Sequence, residues 1–345
     1  LAFGALYVPG AIMGVLIMMP IIAMIKGGHR FNVLFMWLVT AGIIGLTGLS
    51  MYEDANDTDH QAALAEAERD AHRITELAKL PDKIPVEGAS ALMKQDPFTQ
   101  GPKVFAKYCA SCHRYDGHDG RGRMIVERTE EGASQVVLPT ATDLGDFAKR
   151  SWWKQLLTNY SQHFAPLVRS DFDLENSEMA GWCNDNRDVL LESANAADLD
   201  AIVEFLVAQA SNPLVEVDQE KVDKGEALLT DLTLTNGEIS SCTDCHASLG
   251  GEFELDADNS GYPELNGYGS KAWLTAFIQN PGSPQFYGDA NQMPAFAGKM
   301  SNRELEMLVR WMCGDYPPTH VEPYASQVDQ LAGNDSSVAE VEPSK

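Results

Sequence analysis

Basic side chains are scarce in this chain: 25 Lys and Arg stand against 50 Asp and Glu, for a formal net charge of -25. A surface of that sign repels phosphate, which excludes a nucleic-acid-binding role. Cysteine is scarce too. Six in 345 residues are too few for a disulfide-stapled scaffold. The composition is not that of a disordered chain, because 44% of the residues are hydrophobic and several runs are amphipathic. The first 50 residues lack carboxylates altogether and hold only Lys26 and Arg30, so every acidic side chain lies beyond them. An apolar, faintly basic head therefore precedes a strongly acidic body.

In the head, residues 1–25 and 31–52 are uncharged and largely apolar. Each is longer than the about 20 residues a helix needs to cross the hydrocarbon core. The polar turn between them carries Lys26 and Arg30. The head, 1–52, reads as a transmembrane helical hairpin with Pro9 and Pro20 near the ends of its first helix. A signal peptide has one shorter apolar stretch and a cleavage site, and a soluble hairpin would show a polar stripe. The positive-inside rule puts the turn in the cytoplasm and both hairpin ends outside. The chain begins in mid-hydrophobic stretch with Leu1, and reads as a piece or processed product of something longer.

Residues 53–96 form a helical stalk and linker. Leu64, Ala67, Ala71, Ile74 and Ala78 recur at helical spacing, with Asp59 as N-cap and Pro81 as stop. The opposite face, Glu66, Arg69, Asp70, Arg73 and Glu76, reads as solvated. Two units follow, 97–212 and 216–317, then a disordered acidic tail, 318–345. Each unit opens with a helix leading to a cysteine pair and closes with an amphipathic helix, 197–208 and 302–312. An internal repeat joins them: Leu144, Phe147 and Trp152 align without a gap on Leu265, Tyr268 and Trp273, and Asn159 and Asn280 end the match. The fold class is all-α: hairpin, stalk and two tandem helical units.

The chemistry lies in Cys109-Ala-Ser-Cys112-His113 and Cys242-Thr-Asp-Cys245-His246. These are two copies of C-x-x-C-H, the attachment signature of c-type haem. Two thiols add to the haem vinyl groups as thioethers, and the adjacent imidazole ligates iron. A redox dithiol would sit in a βαβ pattern, which the sequence lacks, and zinc would need both pairs in one site. Attachment of c-type haem occurs outside the cytoplasm, in agreement with the charge rule.

The sixth ligand separates carriers from enzymes, because a thioether closes the site and an open position binds peroxide or gas. Met293, in a loop before the last helix, is the candidate in unit two. Met179, before the closing helix of unit one, is the candidate there, and Met124 is its rival. An ordinary core methionine is the alternative for each. His60, His72, His118, His163 and His320 read as surface residues. The pairs Phe147/Trp152 and Tyr268/Trp273 line haem edges or are plain core. Cys183 and Cys313 either bridge or remain buried thiols.

Further residues carry a resemblance. They are Val8-Pro9-Gly10, Gly28-His29-Arg30-Phe31-Asn32, Asp96-Pro97 to Gly101-Pro102, Cys109 to Gly120, and Gly267 to Trp273 through Gln285-Phe286-Tyr287-Gly288 to Phe296. The body resembles the dihaem cytochrome c portion of bacterial quinol–cytochrome c reductases of the cytochrome bc type. The head resembles the last two helices of the cytochrome b carboxy-terminal part, the subunit IV piece. The resemblance covers roughly residues 5–317.

It implies an electron-transfer subunit in a bacterial inner membrane, with both haem domains in the periplasm. Electrons would pass from a quinol at a cytochrome b subunit, through a Rieske iron–sulfur protein and two covalently attached c haems, to a periplasmic cytochrome c or oxidase acceptor. The Pro-Glu-Trp-Tyr quinol motif and the paired haem b histidines are absent from this sequence, so it does not itself build a quinol site, and no catalytic side chain is assigned. Thr142 stands where unit two has Pro263. In the family a Pro carbonyl orients the ligating histidine, which puts that contact in question in unit one. The other readings are the dihaem subunit of a haem–copper oxidase and a dihaem peroxidase-like enzyme.

Overall fold

The computed structural model describes residues 2–80, 84–128, 134–170, 173–246, 249–251, 253–254 and 261–324. The chain is mostly helical, as the sequence pattern requires, and falls into two units, Leu1–Ala71 and His72–Lys345.

In the first unit, α1 (Ala2–Ala23) and α2 (Gly28–Asn56) pack on each other. An amide on an apolar helix must find a partner, and Asn32 Nδ2 donates to the Met19 carbonyl at 2.8 Å. Along α2 the apolar side chains face outward: Trp37, Ile44 and Leu46 are each more than 60% exposed. By length and composition α2 could cross a membrane. In α1 the described apolar stretch is the shorter Pro9–Ala23, and both prolines lie inside the helix rather than at its ends.

The predicted stalk helix is not continuous from Glu53. α2 runs on to Asn56, and α3 (Thr58–Lys79) restarts after Asp57. The Asp57 carboxylate accepts the N–H groups of Asp59 at 2.9 Å and His60 at 3.2 Å. Asp57, not Asp59, is therefore the residue that satisfies the orphan donors of this helix start. Pro81 lies outside the described residues.

The second unit continues with α4 (Ala89–Gln95) and α5 (Pro97–Tyr108), then a short antiparallel hairpin of β1 (Val126–Arg128) and β2 (Ser134–Val136). This hairpin is the one departure from an all-α class among the described residues. α6 (Arg150–Thr158), α7 (Tyr160–His163), α8 (Glu178–Leu190) and α9 (Ala196–Gln209) follow. α10 (Gln219–Asp231), α11 (Lys271–Gln279) and α12 (Asn302–Met312) complete it.

Arg73 does not lie on a solvated face. It is 1% exposed. Its Nε and Nη2 donate to the two oxygens of Asp96 at 3.1 and 2.9 Å, and Nη1 reaches the Thr319 hydroxyl at 2.7 Å. The guanidinium stacks over Phe98, 4.6 Å from its centroid. Asp96 also caps α5 by accepting from Thr99 N. The start of the predicted tail is thus docked: Thr319 binds Arg73, and His320 N donates to Glu76 at 2.8 Å. Residues 325–345 lie outside the described residues.

Both copies of the repeat fold alike. Each begins a helix, α6 or α11, and each helix is closed by its Asn, 159 or 280. The copies meet through equivalent aromatics: Phe147 stacks on Tyr268 at 5.5 Å between centroids, and Trp153 tilts on the same ring at 4.8 Å. A single core of buried apolar side chains runs through both sequence units.

The helices pair across the sequence units. α5 packs on α12, and α10 on α9, so the closing helix of each unit covers the opening helix of the other. Both crossings use a glycine under a large aromatic. A Cβ on Gly101 would sit 2.2 Å from Trp311 Cβ, and one on Gly225 would sit 2.2 Å from the Ala201 carbonyl oxygen and 2.9 Å from Phe205 Cβ. Gly225→Ala is therefore expected to lower stability by about 1–3 kcal/mol through overpacking, read as a lower urea midpoint. An unchanged midpoint would contradict this close approach.

Lys107 on α5 also meets Glu304 on α12 at 2.8 Å. Glu304 doubles as the N3 residue of a capping box with Ser301. The Lys107 ammonium, then the Ser301 N–H and hydroxyl, hold the Glu304 carboxyl down at about 2. A depressed carboxylate stabilises the fold above its unfolded value, near 4.5, and the contribution is lost as pH falls toward 2. Glu304→Gln is expected to flatten the stability-versus-pH curve in that window, measured by urea titrations at stepped pH.

Candidate functional site

The second motif lies in the loop after α10. Cys242, Cys245 and His246 open onto a cavity of about 250 Å³. Its walls are mainly apolar and come from both sequence units, with Leu156 and Leu157 of α6 and Ile202 and Leu206 of α9 facing Leu229 and Leu265. His246 Nδ1 lies 2.8 Å from the Pro263 carbonyl oxygen. That bond makes Nδ1 the protonated nitrogen and leaves Nε2 with the lone pair, the form that ligates metal. Burial pushes the His246 pKa down, which favours the neutral ring. Burial also pushes the Cys242 thiol up to about 11.

The first motif follows α5 directly. Cys109 is packed against the core and its thiol is pushed up to about 12 by burial, while Cys112 is exposed. His113 Nδ1 lies 2.8 Å from the Thr142 carbonyl oxygen, the same contact at the same length as in the second motif. The doubt raised by the missing proline is resolved by the chemistry: the acceptor is a backbone carbonyl, so the side chain at that position is immaterial. The segment leading to Thr142 is held in place by Thr140 N and Ala141 N, which both donate to Cys112 O at 3.1 Å. Arg114 braces the turn by donating to the carbonyls of Ala110, His113 and Val137.

Met179 was expected to face the first motif. It lines the cavity of the second instead, with Cys242, Cys245 and His246. The cause is the docking of α8, which begins at Glu178. Trp182 Nε1 donates to Ser240 O at 3.0 Å, and the Asn186 side chain accepts from Ser240 N at 2.8 Å. The Tyr262 hydroxyl donates to the Glu178 carboxylate. Ser240, just before the Cys242–His246 turn, and Tyr262, whose ring centroid lies 6.3 Å from that of His246, are thereby tied to α8.

Met293 is half-buried against the common core. Its backbone is held by Asn291, whose side chain accepts from Met293 N at 3.0 Å and donates to Met293 O at 2.6 Å. Three residues on, Phe296 meets Tyr108 edge-on at 6.1 Å, and the Tyr108 hydroxyl donates to Lys299 O at 3.4 Å. Tyr108 immediately precedes Cys109, so residues 296–299 of this loop lie beside the first motif, while Tyr287 and Ala290, just before Met293, line the cavity of the second. Met124 lies in the loop before β1 and does not line the cavity.

Cys183 and Cys313 are separate buried thiols, donating to Leu156 O and Gly269 O. His60, His72 and His320 are exposed, as expected. His118 is not: it is buried, and its Nδ1 accepts from Gly120 N at 2.9 Å and Gly122 N at 3.1 Å, which organises the loop. His163 packs against Trp152 beside a polar cavity that also holds Asp116, Asp143 and Asp146, and burial lowers its pKa to about 4.

Of the aromatic pairs, Tyr268 lines the apolar cavity, while Trp273 is core, with Nε1 donating to Glu264 O at 2.7 Å. Trp153, Tyr160 and Tyr287 also line it and escaped the sequence reading. Trp153 and Tyr287 stand next to or within motifs already singled out, and that adjacency was the available signal.

No family model, curated protein or solved structure matches this chain.

The geometry must therefore be read from its chemistry. Among the described residues no group of three or more His, Cys, Asp or Glu side chains is placed to hold a bare metal ion. Two thiols, an imidazole and a thioether among the mainly apolar side chains lining one cavity suit a flat apolar macrocycle with a central metal.

Proposed function

We propose that this chain is a membrane-anchored dihaem c-type cytochrome, an electron-transfer subunit of a quinol–cytochrome c reductase complex. The observation that carries the reading is the duplicated C-x-x-C-H turn in which each histidine gives Nδ1 to a backbone carbonyl at 2.8 Å. Haem attached at each motif would supply the one-electron chemistry. The protein's part is to orient His113 and His246 and to keep water from the ring through apolar walls. It also offers a thioether that closes the sixth position against peroxide and gases. The apolar cavity with Met179 supports a carrier over a peroxidase-like enzyme.

α1 and α2 together form the anchor in a bacterial inner membrane, and the acidic body lies in the periplasm, where covalent haem attachment takes place. The partners in this reading are a cytochrome b subunit, a Rieske iron–sulfur protein and a periplasmic cytochrome c or oxidase acceptor.

Mass spectrometry of the purified chain is expected to show two added haems, with both titrating reversibly. A chain without covalent haem would overturn the reading. Rapid carbon monoxide binding to the reduced protein would overturn the carrier role. Co-purification with haem b and iron–sulfur supports the reductase, whereas copper would indicate an oxidase subunit. The net charge of -25 should steer a basic partner. The second-order rate of electron transfer to a basic cytochrome is therefore expected to fall as salt rises from 0.01 to about 0.15 M, where the Debye length shortens from about 30 to about 8 Å. A salt-independent rate would exclude steering.

A further inference from the structure

We propose that the two haem sites are built reciprocally. Met179 is the sixth ligand at the iron held by His246, and Met293 is the sixth ligand at the iron held by His113. This rests on the dihaem reading above and specifies how those sites are assembled.

Three observations point the same way. Met179 shares one cavity with Cys242, Cys245 and His246, although it belongs to the other sequence unit. α8, which carries Met179, is bonded to Ser240 just before the second motif and to Tyr262, whose ring lies 6.3 Å from that of His246. Conversely, the segment following Met293 packs on Tyr108, and α12 crosses α5 through Gly101–Trp311 and Lys107–Glu304.

The exchange has a simple structural logic. In each half, the opening helix and its cysteine turn meet a closing helix, and the methionine comes from the chain just before or beside that closing helix. Because α5 takes α12 and α10 takes α9, the methionine segments go with the exchanged partners. Each iron is then enclosed only when both sequence units are present, and the repeat interface of Phe147 on Tyr268 lies between the two halves.

The test uses the full chain with one motif removed at a time. Cys109→Ala with Cys112→Ala leaves a single haem on the second motif, and Cys242→Ala with Cys245→Ala leaves one on the first. Met179→Ala, Met293→Ala and Met124→Ala are then added to each background. The readouts are the thioether-to-iron charge-transfer band of the oxidised protein and the midpoint potential. With the haem on Cys242 and Cys245, Met179→Ala is expected to abolish the band and lower the potential, and Met293→Ala to leave both unchanged. With the haem on Cys109 and Cys112, Met293→Ala is expected to abolish it, and Met179→Ala and Met124→Ala to leave it.

The reverse pattern, or loss of the band with Met124→Ala, would overturn the proposal while leaving the dihaem reading intact. A wild-type chain without covalent haem would overturn the dihaem reading itself. If a single-motif chain fails to fold, the unmodified protein supplies the second measurement. A carbodiimide condenses the Lys107 amine with the Glu304 carboxylate to an amide, the oxygen leaving with the reagent as a urea. A peptide joining 107 to 304 within the monomer supports the exchange. Its absence, or its appearance only between two chains, overturns it.

Discussion

Asp96→Asn is expected to destabilise the body by about 3–5 kcal/mol, the range for breaking a buried ion pair from one side. The substitution is nearly isosteric, and Asn caps a helix as well as Asp does. The cap of α5 therefore survives, and what changes is the charge opposite Arg73. Both side chains are 1% exposed, so the guanidinium is left without its counter-ion where water does not reach it. The Thr319 hydroxyl and the faces of Phe98 and Tyr316 remain, but none carries a negative charge. The loss should appear as a lower urea midpoint with an unchanged slope. Arg73→Met combined with Asp96→Asn should recover most of it, because the pair is then removed rather than broken. A change in midpoint equivalent to less than about 0.5 kcal/mol, the scale of an ordinary surface substitution, would show that the pair is not buried in solution.

Ending the chain at Ser211 is expected to abolish cooperative folding of everything that remains beyond the membrane segment. A self-contained first unit would survive that cut. Here the truncated chain keeps α5 without α12 and α9 without α10. Val104, Phe105 and Phe205, all buried, then lose a covering helix, at about 1.5–3 kcal/mol for each side chain returned to water. That total approaches the about 5–15 kcal/mol by which whole domains are stable. Thermal melts followed by circular dichroism should show a broad, non-cooperative decline. Co-expression of residues 212–345 should restore a sharp transition. A sharp transition in the truncated chain alone would show that the first unit folds without the second.

The parts of this molecule that were legible in its sequence are local ones. The cysteine turns could be read because two thiols and an imidazole fall within five consecutive residues, a pattern written along the chain. The repeat could be read because Leu, aromatic and Trp recur at fixed spacing, and both copies do form a helix closed by Asn159 or Asn280. The apolar α2 was legible from its length and lack of charge. Its ends were misjudged by a few residues because the helix runs past both breaks in hydrophobicity, starting at Gly28 within the polar turn and ending at Asn56, just before the Asp57 carboxylate that starts the next helix.

Arg73 and His118 show where sequence pattern misleads. Each sits among polar neighbours in the sequence, and each is buried with a compensating partner: the distant Asp96 and Thr319 for Arg73, and the backbone N–H groups of the adjacent Gly120 and Gly122 turn for His118. Thr142 misled in the opposite direction. The residue type differs from its counterpart Pro263, yet the contact is the same, because a main-chain carbonyl makes it.

By itself the sequence determined the chemistry of the sites, the helical class, the duplication and the apolar head. Only the tertiary structure decided which helices pair across the repeat, α5 with α12 and α9 with α10. The physical reason lies in the duplication. Gly101 and Gly225 offer the same shallow groove, and Trp311 and Phe205 offer the same kind of aromatic ridge, so helix periodicity is satisfied by either pairing. The choice between them rests on contacts far apart in the chain, such as Lys107 with Glu304 and Trp182 with Ser240, which no local pattern encodes.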